Sequence, residues 1–157
     1  MKKLVVYYSF GGNTRAVARK IAKALDADIA EIRTTKTYPD DMDVLLGLAK
    51  REVETECIPP IYNLAVDAQA YDTIILGTPV WWYTYAPAVK TFMKSIKWSG
   101  KKVYLFATSG GKLGHTPSDF RKALRGANVA PIFNVIHKDK VQETPEYQLN
   151  AWISTIE

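Results

Sequence analysis

Hydrophobic and polar positions along the chain alternate between short apolar runs and stretches in which apolar residues recur at helical spacing. Leu4-Val5-Val6-Tyr7-Tyr8 is apolar without interruption, the pattern of a strand buried on both faces. From Asn13 to Leu25 the residues Val17, Ala18, Ile21, Ala22 and Leu25 share one helical face, and Arg15, Arg19 and Lys23 follow at four-residue spacing elsewhere. That pattern predicts a helix packed on the sheet with its basic side wet. Ala27 to Arg33 alternates imperfectly, as a half-covered edge strand does. Residues 41 to 54 read as a helix through Val44, Leu45 and Leu48, with Gly47 against it. Buried strands follow over Thr73–Gly77 and Lys102–Ala107. A last strand spans about Val129 to Ile136, where Pro131 lacks the N–H that a central ladder needs and so predicts an edge.

Three more helices begin with proline at the first helical position, near Pro87, Pro117 and Pro145. Their apolar stripes are Val89, Phe92, Met93, Ile96; Phe120, Ala123, Leu124, Ala127; and Leu149, Trp152, Ile153, Ile156. Thr116 and Thr144 are the expected N-caps of the last two. Strict alternation of strand and helix implies a parallel sheet with right-handed crossovers. The expected fold is therefore α/β, a doubly wound five-stranded parallel sheet of order 2-1-3-4-5 with helices on both faces. That order places both edge-like strands at the edges and the fully apolar ones inside. The 157 residues make a single domain, 1-157.

Composition narrows the chemistry. One cysteine, Cys57, allows no disulfide within the chain, no cysteine-built zinc cluster and no Cys-x-x-Cys pair, so redox activity would have to come from a cofactor. No apolar run reaches the roughly 18 residues of a membrane span, and the expected location is cytoplasmic. The formal charge of +5 is uneven: residues 1–25 hold six basic and no acidic residues, 26–72 four basic and eleven acidic, and 90–140 eleven basic and two acidic. The basic C-terminal half raises nucleic acid as a partner. Its aromatics do not interleave with the basic residues as stacking platforms require, and no nucleic acid is expected.

In a doubly wound sheet the ligand sits outside the carboxyl ends of the strands at the switch point, which directs attention to the loops after Tyr8, Leu76 and Ala107. The first is Ser9-Phe10-Gly11-Gly12-Asn13-Thr14. It opens directly into a helix, so free backbone N–H groups, the positive helix end and two hydroxyls converge as a phosphate cradle. It lacks both the P-loop lysine and the Gly-x-Gly-x-x-Gly turn. The same glycines also suit a helix start with no ligand. The second loop, Gly77-Thr78-Pro79-Val80-Trp81-Trp82-Tyr83-Thr84-Tyr85, carries four aromatics in five residues. A loop offers no face to bury them all, so they are expected to line a flat aromatic ligand, with one or two, Trp82 or Tyr85, folded back as core. The third, Thr108-Ser109-Gly110-Gly111-Lys112-Leu113-Gly114, offers close backbone approach and small hydroxyls for a polar ring edge.

These three loops in order resemble the flavodoxin family, specifically its short-chain, flavodoxin-like FMN-binding members. Ser9 to Thr14 resembles their phosphate loop, Thr78 to Tyr83 their second flavin loop, and Thr108 to Gly114 their third. The resemblance implies noncovalent FMN and a cofactor site of Ser9, Phe10, Gly11, Gly12, Asn13, Thr14, Thr78, Pro79, Val80, Trp81, Trp82, Tyr83, Thr108, Ser109, Gly110, Gly111 and Gly114. Carrier flavodoxins are acidic near the flavin, whereas this chain is basic and places Lys112 in the third loop.

A flavin supplies the redox reactivity itself, so no catalytic side chain is required and no nucleophile–base pair stands in the motifs. Three functions follow: a flavodoxin-like electron carrier, an FMN-dependent NAD(P)H:quinone-type reductase, and a flavin-free binding domain of the same fold. The aromatic run beside a phosphate loop disfavours the last. No second nucleotide fingerprint is present, which favours the carrier. The partner is then a redox protein or a small-molecule electron acceptor. His115 reads as a solvated loop residue, His137 as the end of a strand and Cys57 as an ordinary thiol.

Overall fold

In the computed structural model, which describes residues 2–157, the strands β1 (Lys3–Tyr8), β2 (Asp28–Ile32), β3 (Thr73–Trp81), β4 (Thr84–Tyr85), β5 (Lys102–Ser109), β6 (Asn128–Val129), β7 (Phe133–Lys138) and β8 (Val141–Gln142) alternate with helices α1 (Asn13–Leu25), α2 (Met42–Glu54), α3 (Pro87–Lys94), α4 (Thr116–Ala123) and α5 (Glu146–Ile153). The sheet runs β2-β1-β3-β5-β7-β8. Its first five members are mutually parallel, in the expected order, and β8 is an antiparallel addition to β7.

Side-chain alternation along the strands divides the core in two. Leu4, Val6, Tyr8, Ile74, Leu76, Val103 and Leu105 face α3 and α4 through Val89, Phe92, Phe120 and Leu124. Val5, Tyr7, Ile75 and Phe106 face α1 and α5 through Val17, Ile21, Leu149 and Ile153. Opposite Phe106 in the β3–β5 register stands Gly77, and a Cβ there would run into the Phe106 ring. The glycine thus makes room on the sheet face for a fully buried aromatic neighbour.

Some sequence expectations need correction. The last strand breaks into β6 and β7, with Pro131 in the gap between them, because its missing N–H cannot join the ladder. The N-cap of α4 is His115 with Thr116 already inside the helix, and the N-cap of α5 is Pro145. Both threonine hydroxyls have other duties: Thr116 donates to the Leu113 carbonyl at 2.6 Å, and Thr144 accepts the Ile136 amide at 2.7 Å. Only Pro87 opens its helix at the first position. Ala123, expected on the apolar stripe of α4, is exposed. The segment 77–85 is not a free loop: β3 continues to Trp81, turns in two residues and returns as β4.

Candidate functional site

β1 ends at Tyr8, and the chain must turn sharply to start α1 at Asn13. Gly11 (φ 82°) and Gly12 (φ 101°) make that turn in the left-handed region, and nothing lies within 4 Å of where a Cβ would stand on either. The glycines are needed for backbone conformation, and the space around them is open. The first intrahelical bond runs from Ala16 to the Gly12 carbonyl, and the Arg15 amide donates to Ser9 Oγ at 3.2 Å. The amides of Gly11, Gly12, Asn13 and Thr14 donate to no acceptor among the described residues. These orphan donors at the positive end of a thirteen-residue helix suit an anion such as a phosphate monoester.

Buried groups brace this turn. Thr14 Oγ1 and Thr108 Oγ1 are 2.7 Å apart and join the start of α1 to the end of β5. Arg15 folds away from the cradle onto Glu31 of β2, donating from Nε at 3.1 Å and from a terminal nitrogen at 2.8 Å, and the Tyr7 hydroxyl donates to the same carboxylate at 2.8 Å. Burial alone would raise the Glu31 carboxyl, but the hydrogen bonds from Arg15 and Tyr7 and the nearby guanidinium charge hold it below its ordinary range. With Arg15 committed to Glu31, the cradle relies on backbone amides for its charge. The α1 face expected to be wet is therefore half-buried at Arg15.

The second segment is a hairpin. Val80 pairs with Tyr85 and Trp81 with Thr84, leaving Trp82 (φ 49°) and Tyr83 (φ 69°) as the turn. Two successive positive φ values define a type I′ turn, which normally takes Asn-Gly or Gly-Gly. Two bulky aromatics there carry backbone strain, a recurrent feature of functional sites. The four aromatics go to four places. Trp81 meets Tyr8, Phe10 and Tyr38 edge to face, with centroids 5.6, 6.3 and 5.3 Å away. Trp82 donates Nε1–H to the Leu46 carbonyl of α2 at 2.9 Å, and Lys50 Nζ lies 5.4 Å from its ring. Tyr85 packs on Phe120, 4.8 Å between centroids. Tyr83 remains 61% exposed at the tip. Thr78 is fully buried and structural, donating to the Pro79 carbonyl and accepting the Ala86 amide.

The third loop presses on this hairpin. A Cβ on Gly114 (φ 59°) would come within 2.5 to 2.7 Å of Tyr83 Cβ, carbonyl oxygen and Cα. The His115 amide donates to the Tyr83 carbonyl at 2.8 Å. Ser109 donates to Asn134 Oδ1 at 2.6 Å and accepts the Gly111 amide, and Asn134 Nδ2 closes the loop onto the Gly111 carbonyl. Gly110, Gly111 and Lys112 are exposed. The structure thus brings the three segments together through Thr14–Thr108, Phe10–Trp81 and Tyr83–Gly114, with Pro79 and Val80 half-buried between them. Asn134, Glu31 and Tyr38 were not singled out by sequence reasoning. Each acts through a partner remote in the chain, so no local pattern marks it.

With this geometry, a flavodoxin family model matches residues 2–156. The chain belongs to the flavodoxin family. A flavoprotein of Lactobacillus acidophilus, solved in complex with FMN, resembles it at 29% identity and a TM-score of 0.75, covering 85% of this chain and 92% of its own. A provisionally named flavoprotein of Bacteroides uniformis reaches a TM-score of 0.83 at 26% identity, with 98% and 97% covered. A flavodoxin from the domain Archaea shares the fold at 20% identity and a TM-score of 0.60, with 98% and 92% covered. No curated protein matches this flavodoxin-family chain. None of its helices among the described residues is long and apolar enough to cross a membrane.

Proposed function

We propose that this protein binds FMN noncovalently and works in the cytoplasm as a flavodoxin-like electron carrier. The observation that carries the reading is the set of four unpartnered amides, Gly11 to Thr14, around a left-handed glycine turn at the N-terminus of α1. They offer donors for a terminal phosphate without requiring a cationic side chain. Bound FMN would supply the redox chemistry, and the chain's part is to hold it, shield it and set the charge around it. The exposed Tyr83 ring at the hairpin tip offers a surface for the flavin ring, and the third loop offers the exposed backbone of Gly110 and Gly111 for its polar edge. Binding of FMN by the Lactobacillus relative supports the assignment.

A second reading, an FMN-dependent NAD(P)H:quinone-type reductase, is favoured by one feature, an open cavity of about 630 Å³ that shares Thr84 and Tyr85 with the hairpin. The partner is a redox protein in the first reading and a small-molecule acceptor in the second. Reconstitution followed by mass analysis of the released cofactor tests the binding, and FAD or no uptake overturns it. Reduction of the loaded protein only when a separate reductase is added supports the carrier. Steady oxidation of NADH or NADPH with a quinone by this chain alone supports the reductase.

A further inference from the structure

The cavity beneath the hairpin is lined from the end of α2, from β4, from α3 and from α4, and by no residue of the phosphate turn or of 108–114. Its lining is uneven in charge. From α3 and α4 come Lys90, Lys94 and Lys122, and none of them belongs to an ion pair among the described residues. Lys90 and Lys94 are one turn apart on the same helix face, so their charges add at one place.

The carboxylates nearby are largely occupied. Asp119 Oδ2 lies 2.5 Å from His115 Nδ1 and accepts the Thr84 hydroxyl at 2.6 Å. Glu52 accepts the Tyr38 hydroxyl at 2.6 Å and faces the Cys57 thiol at 3.8 Å. Of the lining carboxylates only Glu56, two residues past α2, lacks such a donor among the described residues. The Asp119 contact fixes the imidazole through Nδ1 and leaves Nε2 without a partner among the described residues. The lining also includes Tyr85, backed by Phe120, and the buried Met93. The phenol of Tyr85 stays neutral: burial, with Asp119 and Glu56 nearby, pushes it up to about 12.

We propose that this cavity is a binding site for a small aromatic anion. Its acidic group lies among Lys90, Lys94 and Lys122, and its ring lies against Tyr85 and Met93, with His115 on the cavity wall. Unpaired ammonium groups gain most from an anion because no protein carboxylate has to be displaced. The flat apolar centre adds ring contact. The proposal deepens the reductase reading by naming the chemistry of the small-molecule acceptor, and as an acceptor site it rests on that reading.

The test is calorimetric titration of the FMN-saturated protein with para-nitrobenzoate and with the neutral para-nitrobenzamide. One benzoate should bind per chain, at least tenfold more tightly than the amide. The substitutions Lys94→Glu with Lys122→Glu should weaken the benzoate at least tenfold and leave FMN content unchanged. The His115 imidazole resonances should move on benzoate addition in the parent protein. Equal affinity for acid and amide, an unaffected lysine variant, or displacement of FMN by the benzoate would overturn the proposal. Failure of the FMN reading shows separately, as no flavin absorbance before any probe is added. The same titration of the cofactor-free protein then decides the cavity by itself.

Discussion

Thr14 Oγ1 on α1 and Thr108 Oγ1 on β5 share a hydrogen bond of 2.7 Å, and both residues are nearly inaccessible to solvent. One bond therefore ties the glycine turn before α1 to the start of the third loop, 94 residues away. If the Thr14 hydroxyl also reaches the phosphate, Thr14→Val removes a hydrogen bond to a charged group, worth about 1.5 to 3 kcal/mol. FMN affinity should fall about tenfold or more, measured by fluorescence titration. Thr108→Val should cost stability, about 0.5 to 1.5 kcal/mol, with a smaller loss of affinity. Equal FMN affinity in Thr14→Val would place the phosphate elsewhere.

Gly12→Ala tests the turn by conformation alone. Open space surrounds the missing Cβ, so the penalty comes from φ 101° and not from a clash. It should cost about 1 to 2 kcal/mol of stability and loosen FMN as the amides lose alignment. Urea denaturation of both proteins measures the first effect. A Gly12→Ala variant as stable as the parent would mean that the turn relaxes at no cost.

The hairpin aromatics should separate by role. Trp81→Ala removes the centre of the cluster with Tyr8, Phe10 and Tyr38 and should destabilise by about 3 to 5 kcal/mol. Tyr83→Gly removes an exposed ring and relieves a positive φ, so stability should rise by about 1 kcal/mol. If the flavin ring stacks on Tyr83, FMN affinity of the same variant should fall about tenfold. A fall in stability together with unchanged FMN affinity would assign Tyr83 to packing.

Glu31 predicts a pH dependence with a definite sign. Its carboxyl is lowered in the folded protein, so the contribution from Arg15 and Tyr7 is complete above its ordinary value of 4.5 and is lost as pH falls through the lowered one. With Arg15 partly exposed, the contribution at neutral pH should be about 1 kcal/mol. Glu31→Gln should show that deficit at pH 7, and the gap to the parent should close in strong acid. Urea midpoints across pH measure it. A constant gap would mean that the loss is steric.

Element order was legible because periodicity is a local property. The unbroken apolar run of β1 and the stripe Val17, Ala18, Ile21 and Ala22 state by themselves which residues are covered, and α1 spans Asn13–Leu25 as its pattern predicts. The glycine turn before α1 was legible for the same reason, since Gly11 and Gly12 mark a reversal that side-chain-bearing residues resist. The pattern could not say where β3 ends or where its aromatics go. Trp81, Trp82, Tyr83 and Tyr85 are alike in composition, yet one joins a core cluster, one docks on α2, one stays in water and one packs on α4. Those destinations depend on strand register and on partners tens of residues away, as do Arg15–Glu31, Ser109–Asn134 and Thr84–Asp119. A residue's own neighbourhood sets the type and order of the regular elements and the covered face of each. Which side chain meets a given hydroxyl or ring is decided only when the sheet assembles, because that choice lies in distances between elements.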